Sequence, residues 1–109
     1  MSKMDLNEEI LNESKRLKRN VSELDCYIQL AEEASELSQA ACKKARRLRG
    51  GYVNKTDGEI LDNIREELTD VLIVAMDILG WDVDPNLELY KLRRWNDRLD
   101  GKIRDRNNP

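Results

Sequence analysis

SELDCYIQLAEEASELSQAACKKARRLRGG, residues 22–51, is the stretch that decides the fold. Its apolar positions Tyr27, Leu30, Ala34, Leu37, Ala41, Ala45 and Leu48 recur at threes and fours. That is the period of one face of an α-helix, not the alternation of a strand. Ser22, with Asp25 three residues on, is close to a capping box and opens the helix. The Gly50-Gly51 pair suits its C-terminal end.

The same pattern extends outward in both directions. Thr56-Asp57-Gly58-Glu59 is a Thr-x-x-Glu capping box, and the helix it opens has Ile60, Ile64, Leu68, Val71, Leu72, Ala75 and Leu79 on its predicted buried face. Gly80 stops it. Asp84-Pro85 starts another helix as N-cap and first-turn proline, with the stripe Leu89, Leu92, Trp95, Leu99 and Ile103. A more weakly patterned helix is expected over 5–19, and a polar tail over 105–109. No strand-like alternation, internal repeat or low-complexity tract competes. The expectation is one all-α domain spanning 1–109, with a four-helix bundle-like core over about 22–104.

Composition narrows the chemistry. The chain has 109 residues, of which 38% are charged and 5% aromatic, with no Phe, which suits surface-rich helices better than a sandwich of β-branched strands. So small a core is often completed by oligomerisation. The formal charge of −3 excludes a polycation that binds nucleic acid non-specifically. Histidine is absent, which rules out a Ser-His-Asp triad, a Cys/His zinc site and a Glu-x-x-His di-iron bundle. Any metal must then be held by oxygen, which favours Mg²⁺, Mn²⁺ or Ca²⁺. Cys26 and Cys42 lie too far apart along one helix to bridge within it, which suits reduced cytosolic thiols. No apolar run of transmembrane length or secretory pattern is read, so a soluble cytoplasmic protein without a membrane partner is expected.

Two acidic pairs stand out. Glu33 and Glu36 lie three residues apart on one predicted helix, and Glu67 and Asp70 three apart on the next. That spacing stacks each pair on one face, where like charges repel by roughly a few tenths of a kcal/mol. Both pairs border the apolar stripes, so antiparallel packing of the two helices can bring all four together. Four carboxylates at a helix seam need a divalent cation or protons to be tolerated. A single Glu-x-x-Glu is an ordinary solvated face, and the case rests on there being two. Neighbouring Glu32 and Glu66, and Asp77 two turns beyond Asp70, are candidates for a general base or an outer group around a metal.

The last helix aligns Lys91, Arg94 and Arg98 on one face beside its apolar stripe. Arg offers a planar fork to phosphate oxygens, although local pairing with Glu88 or Asp97 would also occupy such a stripe. A second basic run, Lys43, Lys44, Arg46, Arg47 and Arg49, sits where cations complement a helix C-terminus. Tyr27, Trp81 and Trp95 could stack on a nucleobase, with packing the commoner role for Trp95.

The segments Leu30-Ala-Glu-Glu-Ala-Ser-Glu-Leu37 and Arg65-Glu-Glu-Leu-Thr-Asp-Val-Leu-Ile73 resemble the Glu-x-x-Glu and Glu-x-x-Asp motifs of the MazG-like all-α nucleoside triphosphate pyrophosphohydrolases, relatives of dimeric dUTPases and dCTP pyrophosphatases. The resemblance covers about residues 22 to 100 and includes the Gly-Trp-Asp-Val-Asp segment 80–84 and the basic last helix. It implies a four-helix core and Mg²⁺, with Mn²⁺ as a substitute, on Glu33, Glu36, Glu67 and Asp70. It also implies cleavage of the α–β phosphoanhydride of an NTP or dNTP to NMP and pyrophosphate. Lys91 and Arg98 resemble the family's phosphate-steadying residues, and Arg94 joins them by helical spacing. Family members assemble as homodimers or homotetramers. The thirty residues between Glu36 and Glu67 are a long spacing for the family, to be taken up by a longer helix or by a loop around Gly50-Gly51. Readings from other classes are a non-enzymatic helical dimerisation or regulatory module, and a nucleotide binder without turnover.

Overall fold

The computed structural model describes residues 5–107, with side chains described as far as residue 102. It is all-helical, with no strand among the described residues. The helices are α1 (Leu6–Asn20), α2 (Glu23–Leu48), α3 (Asp57–Leu72), continued by a π-helical segment (Ile73–Ile78), and α4 (Pro85–Asn107). No helix of the described residues is long and apolar enough to cross a membrane.

The caps expected at Ser22 and Thr56 are in place, and Asp5, read from the sequence as the first helical residue, caps α1. Asp5 accepts from the Glu8 N–H at 2.8 Å and Ser22 from the Asp25 N–H at 3.0 Å. Thr56 and Glu59 close a full capping box, the hydroxyl accepting from the Glu59 N–H at 3.2 Å and the carboxylate from the Thr56 N–H at 3.1 Å. At the far end Gly80 takes a positive φ of 75°, and the Trp81 N–H closes onto the Ala75 carbonyl at 2.8 Å. The thirty residues between the acidic motifs divide into twelve at the end of α2, eight in the loop 49–56 and ten at the start of α3.

An antiparallel α2–α3 hairpin forms the core. Ile60, Cys26 and Ala40 are buried in its seam, with Leu30, Leu37, Ile64 and Val71 half-buried beside them. Arg47 locks the connection. Its guanidinium donates to the Val53 carbonyl at 3.0 Å and to the Lys55 carbonyl, and lies 3.7 Å from Asp57. The basic run read as capping and solvation therefore contains one structural residue, because the chain after Gly50 turns back over it. Gly50 makes that turn with a φ of 83°.

The burial pattern corrects the expected stripes. On α2, Tyr27, Ala34, Ala41, Ala45 and Leu48 are exposed, as are Leu68 and Leu72 on α3. Each helix carries an apolar arc wider than one neighbour can cover, and the hairpin seam uses one edge of it. The fourth helix is a larger departure. Among the described residues α4 packs against none of the other helices, and Leu89, Leu92, Trp95 and Leu99 are all exposed, while the Ile103 side chain lies outside the described residues. One chain thus supplies a three-helix body, with α1 resting on the π segment and α4 standing off. The radius of gyration is 19.2 Å, against about 13 Å for a compact domain of this length.

Candidate metal centre at the α2–α3 seam

Glu33 and Glu67 face each other across the hairpin seam, both half-buried. Carboxylate oxygens of Glu33, Glu67 and Asp70 all lie within 4.8 Å of one another. Glu36, on the exposed side of the cluster, stands close enough to Glu67 for the two carboxyl groups to interact. The four acids singled out by spacing are therefore brought together. Antiparallel pairing does this by setting residue 33 of one helix level with residue 67 of the other.

Two amides hold the central carboxylates, and sequence reasoning missed both. Gln29 Nε2 donates to Glu33 Oε1 at 2.6 Å, and Asn63 Nδ2 donates to Glu67 Oε1 at 3.4 Å. Each amide stands four residues before its acid, one turn up the same face, so the two halves of the site repeat one arrangement. The signal was available as Gln-x-x-x-Glu and Asn-x-x-x-Glu. With one oxygen of each carboxylate held, Glu33 Oε2 and Glu67 Oε2 are buried without a hydrogen-bond partner.

That combination costs energy as it stands, since buried polar atoms are nearly always paired. Desolvation, and then repulsion from Glu36 and Asp70, hold the Glu33 carboxyl above its ordinary value of 4.5, against the opposing Gln29 hydrogen bond. Glu36 is also raised, first through its hydrogen bond with Glu67 and then through the Glu67 charge. Acidic oxygens that repel one another and lack donors fit a hard divalent cation, which takes oxygen ligands and cancels the repulsion.

The remaining candidates fall outside the cluster. Glu32 and Glu66 are exposed beside it. Asp77 does not continue the face of Asp70. The wider π turn rotates it into a groove between α1 and the end of α3, shared with Ile10, Glu13 and Met76. Lys91, Arg94 and Arg98 are not brought to the carboxylates, because α4 makes no contact with α2 or α3. Of the aromatics, Trp81 Nε1 donates to the Tyr27 hydroxyl at 3.1 Å, with both rings partly exposed, while Trp95 is 61% exposed rather than packed. Cys26 and Cys42 are free thiols.

Comparison with known proteins finds no matching family model, no matching curated protein and no matching solved structure.

Proposed function

We propose that this chain is a Mg²⁺-dependent nucleoside triphosphate pyrophosphohydrolase, splitting an NTP or dNTP into its monophosphate and pyrophosphate. One observation carries the reading. Glu33 and Glu67, which meet Asp70 in the acidic cluster, each bury one carboxylate oxygen, Oε2, without a donor, while Gln29 and Asn63 hold the other oxygen of each acid. A solvated acidic face has no use for such an arrangement. It supports a resident cation, and the donor chemistry supports Mg²⁺ or Mn²⁺.

Glu33, Glu67 and Asp70 would hold the ion, with Glu36 at the rim. When bound, Mg²⁺ supplies charge neutralisation for phosphate oxygens and a water of lowered pKa. The chain's own groups do the rest. Gln29 and Asn63 fix the carboxylate directions. Glu36, exposed and with its carboxyl held above its ordinary value, stands where its carboxylate can accept a proton from an attacking water, with Glu32 and Glu66 beside it. Lys91, Arg94 and Arg98 are the cations available for the leaving pyrophosphate, once α4 is brought to the site. Homo-oligomerisation belongs to this reading, and so does a cytoplasmic location, where Cys26 and Cys42 stay reduced.

The test is pyrophosphate release from a panel of canonical and modified nucleoside triphosphates, with Mg²⁺ and with EDTA. Metal-dependent release with an equimolar monophosphate is expected. Metal-dependent nucleotide binding without release would leave a binder, and neither would leave a helical interaction module.

A further inference from the structure

The chain exposes 9486 Å², about 3,200 Å² more than the roughly 6,200 Å² expected of a folded monomer of this mass. That excess is the size of an obligate interface. Much of it is α4, whose apolar arc Leu92, Trp95 and Leu99 has no cover and is flanked on one side by Lys91, Arg94 and Arg98. The body of the chain carries the complement. A groove of about 710 Å³ between α1 and the end of α3 is walled by Ile10, Leu17, Leu72, Ile73 and Met76. On one side of that groove, by helical rotation, run Asp62, Glu66 and Asp70. Residues 57–78 hold seven carboxylates against the single cation Arg65, whereas 85–107 hold seven cations against four acids.

Handedness decides which α4 fills the groove. Viewed down each helix, the basic row of α4 lies on the opposite rotational side of its apolar arc from the acidic row of α3. Opposite sides meet when two helices pack parallel, and like sides meet when they pack antiparallel, as with the e and g positions of coiled coils. An α4 folded back antiparallel on its own α3 would set its cations beside Leu61 and Leu68. Parallel packing within one chain would require the six residues 79–84, reaching about 20 Å at most, to return along a helix of about 33 Å.

We propose that two copies of this chain exchange α4, each laying its Leu92/Trp95/Leu99 face parallel to α3 in the partner's α1–α3 groove. Lys91, Arg94 and Arg98 of one copy then line the edge of the other's carboxylate cluster at Glu66 and Asp70. Completion of a phosphate site in this way rests on the hydrolase reading above, whereas the exchange itself does not.

The experiment mixes two full-length chains. One is unlabelled and carries a nitroxide at Asp97→Cys with Cys42→Ser, and the other is ¹⁵N-labelled and otherwise native. Expected is paramagnetic broadening of α3 amides in the ¹⁵N chain. A monomer, or a dimer in which broadening is confined to the partner copy's α4, overturns the exchange. In a second mixture, Glu36→Gln and Arg98→Ala chains, each inactive alone, regain about a quarter of the activity, since half of a random two-fold population holds one intact site. No recovery, with broadening present and the wild type active, overturns the shared site. A wild type without activity but with broadening keeps the exchange and sinks the hydrolase reading.

Discussion

The α2–α3 hairpin and α4 are built from similar residues and end in opposite states. Both are long, charged and amphipathic. In the hairpin, Ile60 is 1% exposed, the loop is clamped by Arg47, and the capping box of α3 is complete. In α4 every residue from 85 to 102 is exposed except Gly101, which has no side chain to cover. The difference lies in connection. Residues 49–56 turn α2 directly onto α3, whereas Leu79–Asp84 leads α4 away from the body. An apolar stripe therefore specifies that a helix must be covered without specifying by what.

The largest effect that would break this comparison is chemical. Glu67→Ala removes a central carboxylate and leaves its Asn63 donor idle. Turnover is expected to fall at least about 100-fold, and Mg²⁺ binding by calorimetry to be lost, with helical CD unchanged. Retained turnover would remove the cluster from the mechanism.

The next contrast is energetic. Ile60→Ala opens the hairpin seam and is expected to cost about 2–5 kcal/mol, read as a melting shift independent of protein concentration. Trp95→Ala acts on α4. It is expected to leave the folding of isolated chains unchanged and to weaken association, so its effect on melting shrinks as the protein is diluted. Equal, concentration-independent losses in both variants would mean that α4 packs within its own chain.

A smaller effect separates the carboxylates from what aims them. Gln29→Ala and Asn63→Ala should each weaken Mg²⁺ affinity about 10–100-fold, as loss of groups that orient metal ligands does elsewhere. Glutamate at either position adds a repelling charge and should weaken it more. Unchanged titrations in both alanine variants would reduce the amides to surface contacts.

These residues also mark how far the sequence is legible. Helix number, caps and the convergence of Glu33, Glu36, Glu67 and Asp70 follow from local rules: spacing, N-cap chemistry and a long antiparallel hairpin. Gln29 and Asn63 obey the same four-residue rule and could have been read. Arg47 could not, since its partners are backbone carbonyls that exist only after the loop closes. Nor could the shift of Asp77 off the Asp70 face, because α periodicity gives no warning that residues 73–78 widen into a π turn. The buried edge of each apolar arc was equally hidden. On α2, Leu30 and Ala34 look alike in the pattern, and only the packing of α3 against one of them separates the two.

The smallest expected effect is one of acidity, and its sign follows from the cluster. Glu33 and Glu36 bind protons more readily in the fold than at their ordinary value of 4.5. The folded chain therefore holds more protons than the unfolded one just above that value, and stability falls as pH rises through the folded pKa values. Glu59 opposes this below the window. The Thr56 N–H and hydroxyl hold its carboxyl under 4.5, so its contribution is complete above 4.5 and is lost as pH falls through the lowered value. The metal-free protein should thus melt higher at about pH 5 than at about pH 7.5, with a decline in stronger acid. Saturating Mg²⁺ at the higher pH should supply what the protons supply and flatten the slope. Glu59→Gln should shift only the acid limb, whereas Glu33→Gln should reduce the rise between the two pH values and leave the part due to Glu36. A metal-free melting temperature that falls steadily from about pH 7.5 to pH 5 would show that the cluster carries no repulsion for an ion to relieve.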